Sequence, residues 1–289
     1  MRAIEGNFNT YWLSLGRGRG GVAHDGQDLK WVYTGRPVLN RVIGARLDEE
    51  QAELRIADIV RRFGAWHAGV TWLTGPTTRP LDLGRRLEAH GFAYQGRWSG
   101  MAVELAGFDR TAEGPPGLTI REVADEVTQQ NWLEILVPAF GLPRTARRVF
   151  RAAAGPAAGG HPDTAWRSYV GYVDGRPAAT ATLVPGAGVA GIYLVGTLPW
   201  ARGLGLGTTL TRHALATART AGYAVAALHA TAAVEAFYRR MGFERYCSFG
   251  VYRWSPPAPP PRRWLARLRT LWERPHHWHL PPLPPGRGG

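Results

Sequence analysis

The stretch of this sequence best suited to chemistry runs from Val189 to Thr208. An apolar run, Ile192 to Val195, breaks at Gly196. The chain then crosses Thr197-Leu198-Pro199 and enters Arg202-Gly203-Leu204-Gly205-Leu206-Gly207-Thr208. Consecutive backbone N–H groups with no side chains in the way, at the positive end of a helix dipole, cradle an anion such as phosphate. A P-loop would need Lys and Ser/Thr closing its glycine loop, and that arrangement is absent. A dinucleotide fingerprint would need glycine at 208, where Thr208 stands. What remains is Arg202-x-x-Gly205-x-Gly207. Two other strings invite attention. Gly16-Arg17-Gly18-Arg19-Gly20-Gly21 formally matches G-x-G-x-x-G, but no long apolar helix follows it, so it reads as a flexible loop. His276-His277-x-His279 lacks the separated ligands of a structural metal site. No metal is expected.

A strand must deliver the loop and a helix must leave from it. Ile192 to Val195 supplies the strand. Leu206, Leu210, Ala214 and Ala218 fall on one face of a helix that Gly222 stops. Tyr223 to His229 reads as the next strand, Val234 to Met241 as a helix and Tyr246 to Trp254 as a last strand. Upstream, Leu118 to Arg121 opens as a strand. Helices follow at Val127–Phe140 and about Pro143–Ala154, then a Gly/Ala/Pro loop over 155–164. Trp166–Val173 and Ala178–Val184 flank the turn Asp174-Gly175 as a hairpin. Residues 111–117, Thr-Ala-Glu-Gly-Pro-Pro-Gly, form the clearest linker.

The first 110 residues read less clearly, and residues 1–30 resist assignment. Strands are expected at Trp31–Tyr33 and around Val38 and Val42-Ile43. Asp48, with Gln51 three residues on, is expected to cap a helix carrying Leu54, Ile56, Ile59, Val60 and Phe63. Trp66–Leu73 reads as a strand, Asp82 starts a short helix ending at Gly91-Phe92, and Tyr94–Leu105 returns to strand. Residues 255–289 hold ten of the 22 prolines. They read as a Pro/Arg-rich, disordered tail in which Arg262–Trp272 could form one basic amphipathic helix.

The element order after the linker, together with Arg202-x-x-Gly205-x-Gly207, resembles the GNAT (GCN5-related) N-acetyltransferases. A second signature agrees with it. Tyr238-Arg239-Arg240-Met241-Gly242-Phe243 resembles the family's Y-x-x-x-G-F segment. Thr231, seven residues before Tyr238, falls where the family commonly has Asn or Ser on the pantetheine arm. The resemblance covers residues 118–254. It implies a mixed α/β fold, a central mixed sheet flanked by helices. Arg86-Leu87-Glu88-Ala89-His90-Gly91-Phe92 sits in a similar context to Arg239–Phe243, so residues 1–110 are expected to be a degenerate GNAT-like half. Asp48-Glu49-Glu50 stands where its cofactor loop would be. Carboxylates at a helix start repel a pyrophosphate, so no cofactor is expected there.

What the resemblance implies chemically is acetyl transfer from acetyl-CoA to the primary amine of a small molecule or peptide. Arg202, Gly203, Leu204, Gly205, Leu206, Gly207 and Thr208 would hold the pyrophosphate. Val195, Gly196 and Thr197 would align the pantetheine, with a backbone N–H at Val195 or Gly196 on the thioester carbonyl. Gly196 is expected to permit the distortion that opens a slot beside this strand. Thr231 would contact the pantetheine and Tyr238 would be the general acid. The base is open among His229, Tyr193, Glu235 and water. Trp132, Phe140 and the 141–150 loop would border the acceptor.

Composition bounds these readings. At 289 residues, 45% apolar, the chain can bury a sizeable core. No apolar run approaches transmembrane length and the N-terminus does not read as a signal peptide. With Cys247 the one cysteine, a cytoplasmic protein fits, as monomer or homodimer. The formal charge is +13, and 34 of the 35 cations are arginine. They are spread along the chain rather than gathered in a patch, so nucleic acid is not the expected partner. Two alternatives stay open: an acetyl-CoA-binding regulatory module without turnover, and a basic nucleic-acid binder.

Overall fold

The structure is a computed structural model that describes residues 1–18, 20–107, 114–153 and 166–257. The loop 155–164, residues 111–113 of the linker and the tail beyond 257, with its expected helix and histidines, lie outside the described residues. Residues 1–256 form one compact unit. The chain runs α1 (Arg2–Leu15), β1 (Val22–Asp25), β2 (Lys30–Tyr33), β3 (Arg41–Ile43), α2 (Ala52–Ala65), β4 (Val70–Thr74), α3 (Leu83–Ala89) and β5 (Ala93–Glu104). It continues with β6 (Leu118–Glu122), α4 (Glu126–Ala139), α5 (Ala146–Ala153), β7 (Arg167–Val173), β8 (Arg176–Gly186) and β9 (Val189–Thr197). Last come α6 (Leu206–Thr220), β10 (Val225–Thr231), α7 (Ala232–Arg240) and β11 (Glu244–Trp254).

The strands form one 11-stranded mixed sheet in the order β1-β2-β3-β4-β11-β5-β10-β9-β8-β7-β6. Its pairing reads nearly the same from either side of the β5–β11 contact. β5 and β11 are antiparallel, β10 and β4 flank them antiparallel, and β9 and β3 lie parallel to those. β8 and β2, then β7 and β1, extend each side antiparallel, and β6 adds one more antiparallel strand beyond β7. The two halves therefore repeat one topology about a pseudo-twofold axis. They also interlock, because β5 of the first half lies between β10 and β11 of the second.

Side-chain alternation sorts the helices to two faces. Val170, Val184, Tyr193, Leu73 and Phe249 pack with α1, α4 and α5. Tyr169, Leu183, Ile192 and Leu228 face α6 and α7. Trp31, Val42 and Trp72 face α2 and α3 on that same side. Helix α6 forms as expected, burying Leu206, Leu210, Ala214 and Ala218, and Gly222 at φ +88 turns the chain out of it. Helix α4 starts from a capping box in which Asp125 accepts from the Thr128 amide at 2.7 Å.

Three local expectations need correction. Asp48 caps nothing: α2 starts at Ala52 with Gln51 before it and no side-chain cap. Trp66 ends α2 rather than opening a strand, and β4 begins only at Val70. The unassigned N-terminus is a 14-residue helix that buries Ile4, Phe8, Tyr11, Trp12 and Leu15.

Candidate active site

Strands β9 and β10 are parallel neighbours, yet they pair only at Ala190↔Ala226 and Gly191↔Ala227. Beyond that point they diverge, and a slot opens between Val195–Thr197 and the end of β10. The cause is a bulge in β9. Its partner β8 pairs Thr182 with Tyr193 and then Thr180 with Gly196, so an extra residue is looped out between them. Leu194 carries the distortion at φ +54, a costly value for a branched side chain. Gly196, expected to supply the distortion, instead pairs regularly with Thr180. Its missing side chain serves packing: a Cβ there would stand 2.8 Å from Phe140 Cε2 and 3.1 Å from Ala139 Cβ. Glycine thus lets the end of α4 press against the strand.

The loop after β9 makes a short 3-10 turn, Pro199–Ala201, and reaches α6 through Gly203 at φ +82 and Gly205 at φ +76. Nothing lies within 4 Å of either glycine's open side. The amides from Gly203 to Thr208 donate to no backbone carbonyl, and Gly205, the N-cap, offers no side chain. These are the orphan donors that every helix start leaves over. No acidic residue stands in the first turn. Arg202 is exposed at the mouth, its Nε 3.4 Å from the Thr197 carbonyl. Leu204 is exposed and Leu206 buried, so the loop is anchored on one side and open on the other. Gly207 closes the slot: Val195, Thr197 and Phe237 all come within 3.8–3.9 Å of where its Cβ would be. The residues present fit a pyrophosphate with a slender arm behind it.

Tyr238 lies on α7, 9% exposed, in the apolar cluster that Val195 and Phe237 border. Its ring meets Phe243 edge-on at 5.7 Å. Burial alone pushes its hydroxyl up to about 12, and no described group bonds to that hydroxyl. Thr231 precedes α7 with extended backbone, is exposed, and makes no capping hydrogen bond, which leaves its hydroxyl uncommitted.

The candidate bases fare differently. Tyr193 donates to Asn7 Oδ1 at 2.7 Å and stacks on Tyr11 at 4.2 Å, and burial raises its pKa well above the ordinary value. Glu235 accepts from Ser99 Oγ at 2.7 Å and pairs with Arg239 at 2.7 Å, which lowers its pKa. Both are committed structurally. His229 stacks on Phe8 at 3.7 Å and meets Phe249 edge-on at 4.7 Å. Neither of its ring nitrogens has a partner, and burial pulls its pKa down to about 3. The residue as a whole is half-buried, but the ring nitrogens that titrate are enclosed, so it stays neutral. Trp132 is also no pocket residue: it is fully buried, edge-on to Phe150. Phe140 is 45% exposed beside Gly196 and keeps its place at the slot.

One contributor went unseen in the sequence. Helix α1 roofs this end of the sheet from the other half. Buried Asn7 donates through Nδ2 to the carbonyls of Val184, Gly186 and Val189 at 2.9–3.2 Å. Phe8 covers His229 and Tyr11 covers Tyr193. The apolar spacing 4, 8, 11, 12, 15 carried the signal for this helix.

The first half repeats part of this geometry with other side chains. Gly91 at φ +81 and Gly242 at φ +90 end α3 and α7 in the same way. The Phe92 amide bonds to Leu87 O at 3.0 Å, as the Phe243 amide bonds to Tyr238 O at 3.1 Å. Leu87 therefore holds the place of Tyr238. Where β9 and β10 diverge, the first half is sewn shut. Arg79 N donates to Ala45 O at 3.0 Å and Leu47 N to Arg79 O at 3.1 Å, bridging the strand extensions. No slot opens there, and Asp48-Glu49-Glu50 follows.

Comparisons with known proteins agree with this geometry. Residues 130–243 match the acetyltransferase (GNAT) family profile. A GCN5-related N-acetyltransferase from Kribbella flavida is 22% identical and superposes with a TM-score of 0.66, over 89% of this chain and 98% of that one. A GCN5-related N-acetyltransferase from Sphaerobacter thermophilus is 18% identical with a TM-score of 0.59, over 81% and 82%. A tandem GNAT protein from the clavulanic acid biosynthesis pathway is 14% identical with a TM-score of 0.58, over 84% and 86%. No curated protein matches the sequence. No helix among the described residues is long and apolar enough to cross a membrane.

Proposed function

From the match of residues 130–243 to the GNAT acetyltransferase family, we propose that the chain transfers an acetyl group from acetyl-CoA to a primary amine of a small molecule or peptide. The observation that carries this reading is the slot between β9 and β10 facing a loop of unpaired amides. The amides of Gly203 to Thr208 hold the pyrophosphate, with Arg202 adding charge at the mouth. Val195, Gly196 and Thr197 align the pantetheine by strand-like pairing, and Thr231 meets it from the far side. An amide of Val195 or Gly196 polarises the thioester carbonyl.

Tyr238 donates to the departing sulfur. Its hydroxyl sits near 12, and an ordinary thiol near 8.5, so full proton transfer ahead of bond cleavage is uphill by about 5 kcal/mol. The tyrosine therefore acts as a hydrogen-bond donor while charge builds on sulfur, and the proton follows. The desolvation that raises the phenol also raises the thiol beside it, which narrows the gap. With Tyr193 and Glu235 committed and His229 held neutral, no charged base serves the amine. The acceptor binds in its neutral form. The first half, with Leu87 at the acid position and no slot, takes no donor.

An acetyl-CoA-binding module without turnover is the second reading. What favours it is the absence of an uncommitted carboxylate among the described residues at the slot. A thiol-release assay over an amine panel, run on wild type and Gly205→Glu, separates the readings. Acetyl-CoA should stabilise the wild type against heat and the variant not at all, because a carboxylate in the loop repels pyrophosphate. Thiol release with at least one amine in the wild type alone supports transfer. Equal activity in both proteins would refute the loop assignment.

A further inference from the structure

The glycine run Gly16–Gly21, set aside as a loop, is a built piece of the fold. Gly21 N donates to Gly18 O at 2.8 Å, and Gly18 sits so close to Ala152 that a Cβ would stand 2.8 Å from it. A Cβ on Gly35, at φ +72, would run into the Gly20 carbonyl. This run, the turn between β2 and β3, and α5 enclose a cavity of about 590 Å³. It lies on the face that α1, α4 and α5 cover, opposite α6.

Buried Leu15 and Val149 give the cavity an apolar floor. Arg36, Arg148 and Arg151 line it, and among the described residues no carboxylate does. Several arginines elsewhere pair with acids: Arg55 with Asp28, Arg86 with Asp82 and Glu53, Arg167 with Glu122. None of the three lining the cavity does among the described residues. Arg151 bonds to the neutral Gln130 at 2.9 Å, and the guanidinium groups of Arg36 and Arg148 have no partner among the described residues. The turn that carries Arg36 is rigid. Buried Asn40 accepts from Thr34 N at 3.0 Å and donates to Arg36 O at 3.0 Å. Three like charges around one concave site repel each other unless an anion joins them.

We propose that this cavity binds a small molecule bearing a phosphate group. Guanidinium forks match the oxygens of a phosphate bidentately. Three cations suit a dianion better than a single carboxylate. The remaining volume and the apolar floor accept the organic part of a phosphate monoester. Neither the acetyl-donor loop nor Tyr238 enters this reasoning, so the site stands or falls apart from the acetyltransferase reading.

The test is calorimetric titration of the full chain with inorganic phosphate at fixed ionic strength. Wild type and Gly205→Glu should bind phosphate alike. The double variant Arg36→Gln/Arg148→Gln should bind at least about tenfold more weakly, as expected on losing two charge-assisted donors. Its thermal shift with acetyl-CoA should match the wild type. Should the double variant melt early, Arg148→Gln alone, on an exposed side chain, should still weaken phosphate severalfold. The proposal is overturned if wild type does not bind phosphate, if the arginine variants bind it unchanged, or if Gly205→Glu abolishes binding. Malonate binding as tightly as phosphate would overturn it too.

Discussion

His229 should make this protein acid-sensitive, and replacing it should remove a defined part of that sensitivity. Its imidazole stacks on Phe8 and meets Phe249 edge-on with both nitrogens unpartnered, and burial lowers its pKa from 6.5 to about 3. The unfolded chain takes up a proton near 6.5, while the folded chain does not until about 3. Stability from this group is intact above 6.5 and falls with decreasing pH until about 3, by roughly 1.4 kcal/mol per pH unit. Between pH 7 and pH 5 that is about 2 kcal/mol. Glu5 acts in the opposite direction, since desolvation raises its pKa and the folded state then holds a proton more readily. That contribution is common to wild type and variant, so it cancels in the comparison. Urea unfolding of wild type and His229→Leu at both pH values measures the difference. The variant should lose about 2 kcal/mol less than the wild type. If both lose the same amount, the ring nitrogens are solvated or paired, and the picture of an enclosed neutral imidazole is wrong.

Tyr238→Phe should reduce turnover by about 10²-fold, the usual contribution of a positioned acid, while leaving thermal stability and acetyl-CoA affinity unchanged because its hydroxyl bonds to none of the described residues. Since that hydroxyl titrates near 12, wild-type turnover should show no loss from its ionisation up to about pH 11. Asn7→Ala should destabilise the protein by about 3 kcal/mol in denaturant melts, because it strands the carbonyls of Val184 and Val189 and the Tyr193 hydroxyl in buried surroundings.

The second half was largely legible because its signals are local. A hydrophobic period of four residues, a Gly-Phe helix stop and a glycine turn each describe a few consecutive residues, and they placed α6, α7 and the slot. The positions of Gly205, Thr231 and Tyr238 followed from those elements. What escaped is non-local or works against propensity. Helix α1 contains Gly6, Asn7, Asn9 and Thr10, all poor helix formers, and its stability comes from burying Phe8, Tyr11 and Trp12 against strands of both halves. The bulge was placed at Gly196, the residue most tolerant of distortion. It falls at Leu194, where register against β8 and packing under α1 decide the backbone. The fates of Tyr193 and Glu235 depend on Asn7 and Ser99, partners 186 and 136 residues away. No local pattern shows such pairs.

The interlocked centre of the sheet makes each half part of the other's support. Strand β5 supplies the neighbour of β10 all along Val225–Thr231, so one wall of the slot between β9 and β10 is held by the first half. It holds α7 as well, since Ser99 on β5 is the hydrogen-bond partner of Glu235. Helix α1, from the same half, fixes β8 and β9 through Asn7 and seals His229 through Phe8. The first half thus carries constraints on the second that do not involve a donor loop or an acid of its own. Leu87 in the place of Tyr238 adds apolar burial, and the Arg79–Ala45 bridge adds backbone pairing where an open slot would leave both edges bare.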